Sequence, residues 1–365
     1  MSQALKVGVN FQVYNIQESK LLNILKSFKV EVSSISSESG KFFDYYYIRL
    51  APGVRASKLD RLLEDIGLAL GAQSIPAGTL LMNKGLYKLS VQREEVASPT
   101  FSQMLTEYKG DLYAPIFVGV SESGSLIYKD LNKIPNLIVG GTTGSGKSVL
   151  LHSFIMSLLK SDAKLYLCDP KMVEFQRYSR YNAVKSVTNS VSETSVIITE
   201  LTKLMNNRFS ALRKKGFRSA SEMHKELPGS MPPVCFIIDE WADLVLQDKS
   251  LQKQLAILAQ KGRAAGISII LATQRPAASV ISGLIKANFP GRIALRVASA
   301  VDSRVILDKS GAEKIDDIGM GLMLDATSST PFLFRAPNIK NVDGELKALN
   351  LKRSRASGIF SIFGF

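Results

Sequence analysis

The sequence predicts an α/β protein in which a domain built on a mostly parallel sheet is preceded by a small α+β domain. Three observations carry this reading. Beyond Leu131, short and continuously apolar runs at residues 136–139, 164–168, 234–238, 268–272 and 292–297 alternate with helical stretches. Strands that are apolar at every position, rather than at every second one, belong to a sheet covered on both faces. Before Leu131 the pattern is different, with amphipathic helices and alternating strands. Finally, 365 residues exceed one ordinary domain and can build two substantial cores. The expected division is residues 1–130, 131–345 and a basic, aromatic tail at 346–365.

Taken in order, Leu21, Leu22, Ile24, Leu25 and Phe28 recur at helical spacing and predict a helix over 18–28. Strand-like runs follow at 30–35 and 42–50, with the Ser/Gly-rich segment 33–40 read as their connection. After Ala51-Pro52-Gly53 comes a second amphipathic helix, 57–70, and then a strand-rich stretch to about Ile127. In the second domain a long helix, about 191–214, aligns Ile198, Leu201, Met205 and Leu212 on one stripe, for which core packing is a sufficient explanation. No internal repeat is evident, and the chain from Lys352 onward reads as loosely tethered.

A net charge of +14, from 46 Lys and Arg against 32 Asp and Glu, favours a polyanionic partner, either nucleic acid or an anionic membrane surface. Cys168 and Cys235 both fall in apolar runs and are expected as core thiols, which suits a reducing cytoplasm. No uncharged apolar segment reaches membrane-spanning length, so no integral membrane segment is expected. His152 and His224 lack a nearby ligand set, Trp241 is read as packing, and the basic run 212–218 as a helix C-terminal cap.

The sharpest motif is Gly141-Thr142-Thr143-Gly144-Ser145-Gly146-Lys147-Ser148, which satisfies G-x-x-x-x-G-K-[ST] between an apolar strand and an amphipathic helix. Its glycines let backbone N–H groups turn toward phosphates, the helix N-terminus favours negative charge, Lys147 neutralises β/γ-phosphates, and Ser148 ligates Mg²⁺. Val149 follows as a further nucleotide contact. The run 234–238 then delivers Asp239 and Glu240 at a strand end, Asp239 for Mg²⁺ and Glu240 to polarise an attacking water. A third strand ends in Thr273-Gln274-Arg275-Pro276, whose polar residues are placed to sense the γ-phosphate, with Gln274 taken as the nucleotide contact. The cofactors implied are ATP and Mg²⁺. Arg263 is open to two readings, a solvated helix-end arginine or a residue completing a neighbouring subunit's site.

These motifs, with Asp169-Pro170-Lys171, Arg263-Ala-Ala-Gly266, Gly283-Leu-Ile-Lys-Ala-Asn288, Asp302-Ser303-Arg304, Gly311-Ala-Glu-Lys314 and Leu50-Ala-Pro-Gly-Val-Arg-Ala-Ser57, resemble FtsK/SpoIIIE DNA translocases in order and spacing. The resemblance runs from about Glu18 to Asp343. It implies a RecA-like P-loop ATPase domain, a hexameric ring, and double-stranded DNA moved through its channel by ATP hydrolysis. It further implies that Arg263 acts across the subunit interface and that Arg275, Lys286 and Arg304 lie near the DNA. Contacts of that kind meet phosphates and give affinity without sequence readout.

Three departures from the family pattern are expected to matter. Ala300 stands where relatives often carry a basic residue, and neither an anchoring segment with its long linker nor a winged-helix module has a counterpart in the sequence. The reading is therefore a cytoplasmic, DNA-stimulated motor, with a protein partner conceivable for the C-terminal tail. Competing readings from the same residues are a single-stranded-DNA coupling or packaging ATPase, a protein-export ATPase and a nucleotide-binding scaffold.

Overall fold

The computed structural model describes residues 16–40, 42–72, 75–93, 98–325 and 330–353. The chain divides into two compact units, residues 1–97 with 122–124, and 98–121 with 125–365.

In the first unit, α1 (Ile16–Ser27) is followed by β1 (Val32–Ser39), β2 (Phe43–Leu50), α2 (Ala56–Arg61), α3 (Leu63–Leu70), β3 (Ala77–Leu81) and β4 (Leu86–Gln92). The four strands form an antiparallel sheet in the order β1-β2-β4-β3. Its core joins Leu21 and Leu25 of α1 to Ile35, Tyr46, Ile48 and Leu89 of the sheet and to Leu59 and Ile66 of the other helices. Two expectations are corrected here. The Ser-rich segment is not a connection but most of β1, because Ile35 buries opposite Ile48 and the serines around it pair through backbone. The helix expected over 57–70 is two helices, broken at Leu62, whose backbone leaves helical geometry at φ −102° and ψ 4°.

The second unit contains α4 (Phe101–Glu107), β5 (Pro115–Ser121), β6 (Leu126–Asp130), β7 (Asn136–Gly140), α5 (Lys147–Lys160), β8 (Lys164–Cys168), β9 (Val184–Thr188), α6 (Val191–Lys215) and α7 (Ala220–Glu226). It continues through β10 (Val234–Ile238), α8 (Trp241–Val245), α9 (Ser250–Gly262), β11 (Ile267–Thr273), α10 (Gly283–Asn288), β12 (Gly291–Leu295), α11 (Ala300–Leu307), β13 (Met320–Leu324), β14 (Phe332–Arg335) and α12 (Val342–Ala348). One ten-stranded sheet runs β6-β5-β14-β13-β12-β7-β11-β10-β8-β9. Strands β12, β7, β11, β10, β8 and β9 are parallel, and β13, β14, β5 and β6 extend the sheet antiparallel from β12.

Every residue of β7, β10 and β11 is buried, as continuous apolar runs require. Each buried Val, Leu, Ile or Phe contributes roughly 1.5–3 kcal/mol of transfer free energy. Helix α5 departs from the amphipathic expectation, since residues 150–159 are buried all round, between the sheet and the segments covering it. Helix α6 ends on Gly216 in the left-handed region, with Arg213, Lys214 and Lys215 in its last turn, so the basic run does cap the helix.

The expected boundary near residue 130 moves to 97/98. Strands β5 and β6 hydrogen-bond into the large sheet, and Ile116, Phe117 and Val118 enter its core beside α5. The tail boundary moves as well, because Leu346 and Leu349 belong to that same core. What remains of the expected tail, residues 354–365, lies outside the described residues. Both cysteines are buried and unbridged; burial pushes the Cys168 thiol up to about 11.

Candidate active site

Residues 141–146 connect β7 to α5 at the carboxyl edge of the sheet. Gly144 and Gly146 adopt φ +76° and +97°, conformations that side chains other than glycine rarely take. The loop is tied down on three sides. The amide of Gly141 donates to the Thr273 carbonyl (3.3 Å), that of Thr142 to the Arg296 carbonyl (2.9 Å), and that of Gly319 to the Ser145 carbonyl (2.9 Å). A side chain at Gly146 would stand 3.0 Å from the amide nitrogen of Gly319, so that position leaves little room.

Strand β11 lies between β7 and β10, and this order sets the chemistry of the edge. From the β7 side comes Lys147, whose Nζ is 2.6 Å from Asp239 Oδ1 and 2.7 Å from the Asp239 carbonyl at the end of β10. Both side chains are buried, 3% and 7% exposed, so each offsets a charge that would be costly alone. From the end of β11 come groups that hold Glu240. The Thr273 hydroxyl donates to Glu240 Oε1 (2.6 Å) and the Gln274 amide to Oε2 (2.9 Å), while the Ala242 amide donates to Oε1 at 3.3 Å. The Gln274 side chain then accepts from the Thr143 hydroxyl at 2.9 Å, which joins the phosphate loop to the carboxylate strand through the strand between them.

On the other side of Lys147, the loop leaving β8 brings Glu174 beside α5. Its carboxylate bonds His152 Nε2 at 3.1 Å. The His152 hydrogen bond comes first among the influences that outweigh desolvation and hold this carboxyl below the usual range; the His152 charge, Ser148 and Arg177 act in the same direction.

The structure thus brings together Gly141, Thr142, Thr143, Gly144, Ser145, Gly146, Lys147, Ser148, Asp239, Glu240 and Gln274, with Val149 in the first turn of α5. The residues expected to meet nucleic acid are placed differently. Lys286 bonds Asp308 Oδ1 at 2.7 Å and the Arg304 carbonyl at 3.2 Å, so Lys286 and Arg304 are neighbours but Lys286 is already paired. Arg275 is exposed immediately after Gln274. Arg263 sits before β11, at the opposite end of that strand from Thr273, roughly 20 Å away by strand rise. Its Nε donates to the Asn132 carbonyl at 3.1 Å. It cannot reach the phosphate loop of its own chain.

Sequence reasoning read Thr273 toward the γ-phosphate and not toward Glu240, missed Glu174, and gave His152 no role. The signals were present in Thr273 preceding Gln274 at a strand end and in His152 standing four residues after Ser148 on one helix face. Trp241 is packing, as expected: it is buried, and its Nε1 donates to the Val280 carbonyl.

The residues fit a magnesium nucleotide. Ser145 Oγ is buried without a hydrogen-bond partner, Gly146 at φ +97° leaves a side chain little room, and Ser148 follows Lys147 in the first turn of α5 beside the Lys147–Asp239 pair. Among the described residues no three His, Cys, Asp or Glu side chains cluster as an all-protein metal cage, and no helix is long and apolar enough to cross a membrane.

Comparison with known proteins agrees with this geometry. Residues 109–231 match the FtsK/SpoIIIE family and residues 7–86 the FtsK alpha domain. The chain is 36% identical over 320 residues to DNA translocase FtsK of Streptococcus pneumoniae, covering 82% of this chain and 41% of that protein. It is 34% identical over 342 residues to DNA translocase FtsK of Pseudomonas aeruginosa, covering 84% and 42%. The chain therefore spans about two-fifths of the length of these relatives.

Among solved structures, the pCW3 conjugation coupling protein TcpA with ATPγS aligns at TM-score 0.66 and 22% identity, over 92% of this chain and 99% of that one. The cytoplasmic domain of the Thermomonospora curvata Type VII secretion ATPase EccC aligns at TM-score 0.60 and 21% identity, over 69% and 34%. At these identities the structural likeness is one of fold, that of P-loop ATPases. With both of its domains matched in chain order and its nucleotide-site residues assembled, the chain belongs to the FtsK/SpoIIIE family.

Proposed function

We propose that this chain is an ATP-driven translocase of double-stranded DNA that works as a ring of identical subunits, six by family resemblance. The observation that carries the reading is the Thr143–Gln274–Glu240 chain of hydrogen bonds, set beside Lys147 and Asp239. A phosphate cradle and a carboxylate base mechanically joined at one sheet edge are what phosphoryl transfer to water needs, because its catalysis is mostly positioning and electrostatics.

In this reading the loop amides and Lys147 bind the β- and γ-phosphates, and Glu240, held by Thr273 and the Gln274 amide, orients the attacking water. Ser148 and Asp239 would hold Mg²⁺, which when bound supplies positive charge to the phosphate oxygens. Gln274 reports on the γ-phosphate and passes its state to Glu240 through the hydrogen bond at its own amide. Arg263, at the far end of β11, serves the site of the next subunit, which makes the ring part of the active site. Arg275 and Arg304 contribute phosphate contacts to DNA, and Lys286 does so only by leaving Asp308. The family relationship and the +14 charge support duplex DNA as the cargo.

The test is ATP hydrolysis with long duplex DNA, with single strands and without DNA, at low and moderate salt, with Glu240→Gln as the inactive control. Stimulation by duplex that weakens with salt is the expected outcome. Stimulation by single strands alone would transfer the reading to DNA coupling, and indifference to both would point to a protein substrate.

A further inference from the structure

Residues 316–319 lead into β13 and lie against the phosphate loop. Hydrogen bonds hold them there at both ends. Arg296 Nη1 donates to the Asp316 carbonyl (3.1 Å), Arg335 pairs with the Asp317 carboxylate, the Gly319 amide donates to the Ser145 carbonyl (2.9 Å), and the Gly319 carbonyl accepts from the Ala336 amide (2.7 Å). Arg296 is itself tied to the loop, since its carbonyl accepts from both the amide and the hydroxyl of Thr142. In the middle of this stretch the Ile318 side chain is 67% exposed. A Cβ built at Gly146 would lie 3.7 Å from Ile318 Cγ2, so the isoleucine stands alongside the loop itself. A lone exposed aliphatic side chain is ordinary on a protein surface. This one is kept in water at a fixed place, beside a phosphate cradle, by a backbone bonded on either side of it.

Strand order decides which part of a ligand would meet it. Glu240, after β10, stands on one side of the phosphate loop, with the end of β11 between them. A nucleoside triphosphate is a linear ligand, and with its terminal phosphate toward Glu240 its sugar and base extend the other way, toward β12 and β13. Residues 316–319 lie on that side. A purine presents two flat, weakly polar faces, and an aliphatic side chain covers such a face with no hydrogen-bond partner of its own, whereas phosphates call for charge or N–H donors.

We propose that Ile318 is the apolar platform on which the base of the bound nucleotide rests, held at its place beside the phosphate loop by the Gly319–Ser145 hydrogen bond. This rests on the nucleotide-site reading above. One short segment then serves both ends of the ligand: Gly319 shapes the cradle for the phosphates, and its neighbour Ile318 covers the base. The Ile318 side chain has no donor or acceptor, so it supplies affinity for a purine face and not a choice among bases.

The experiment compares, by calorimetry, the binding of ATPγS with that of inorganic tripolyphosphate, both with Mg²⁺ and at moderate salt, with thermal unfolding as a check on folding. Ile318→Ala should weaken ATPγS binding by about tenfold and leave tripolyphosphate binding unchanged, because that ion carries no base. Ile318→Phe, which enlarges the platform, should bind ATPγS at least as tightly as the unaltered chain. Unchanged affinity of Ile318→Ala for ATPγS overturns the proposal. So does an equal loss for both ligands, which would make Ile318 a support of the loop and not of the base. Failure of the unaltered chain to bind either ligand would instead remove the nucleotide-site reading, and the proposal with it.

Discussion

The carboxyl edge of the parallel strands and the outer basic surface make opposite use of polar residues. At the edge, Lys147, Asp239 and Glu240 are buried, and each is held by partners drawn from a different strand or helix. At the surface, Arg275 and Arg304 are exposed, while Lys286 is held by Asp308. The first arrangement fixes geometry before any ligand arrives, as the chemistry of a transition state demands. The second leaves long side chains free to follow a phosphate backbone, which demands charge rather than a fixed shape. Damage to the edge should therefore be steep and specific, and damage to the surface shallow, uniform and sensitive to salt.

Three variants would sharpen or break that contrast. The largest effect should come from Lys147→Ala. It removes the phosphate-facing cation and leaves Asp239 buried without its ion-pair partner, so turnover should fall by about 100- to 1,000-fold. The melting temperature should fall too, because an unpaired buried carboxylate costs about 3–5 kcal/mol. Turnover equal to that of the unaltered chain would remove the site assignment. Thr273→Val comes next: it keeps side-chain volume while deleting one of the three donors to Glu240. Loss of a hydrogen bond to a charged group is worth about 1.5–3 kcal/mol, so hydrolysis should drop by about one to two decades with nucleotide binding preserved. A loss of binding with unaffected turnover would mean that Thr273 serves the loop and not the carboxylate. The smallest effect belongs to Arg275→Ala with Arg304→Ala. Duplex affinity should weaken evenly across sequences, and the slope of log affinity against log salt should shrink by about 0.9 for each phosphate no longer neutralised. DNA-free hydrolysis should be unchanged; a slope that does not move would place the DNA elsewhere on the surface.

The same contrast explains what was legible in the sequence. The nucleotide site could be read because its constraints are local: a glycine-rich loop between a strand and a helix, and two acids ending an apolar run. The pairing of Thr273 with Glu240 and of Glu174 with His152 escaped notice because both depend on tertiary placement. Nothing in the linear chain says that β11 lies between β7 and β10, yet that order alone puts Thr273 on Glu240. The division near residue 130 failed for a related reason. Residues 115–130 read as ordinary alternating strands, and only pairing with β14, from the far end of the chain, assigns them to the large sheet. The serines of β1 were misread as a connection because composition outweighed the pairing of a single isoleucine, Ile35, with Ile48.

The contact between Gly146 and Gly319 extends the phosphate-loop signature beyond its eight letters. A methyl group at 146 would crowd the amide of Gly319, and that amide must itself reach the Ser145 carbonyl. Gly319 also adopts φ +80°, so it too resists replacement. The motif is thus written in two places along the chain, and its second half carries no recognisable pattern of its own. A divergent chain that keeps the familiar loop but places a bulky residue ahead of its β13 equivalent would pass a text search and still be unable to close the cradle. Conversely, two chains recombined between these glycines would inherit a loop and a facing backbone segment shaped for different partners.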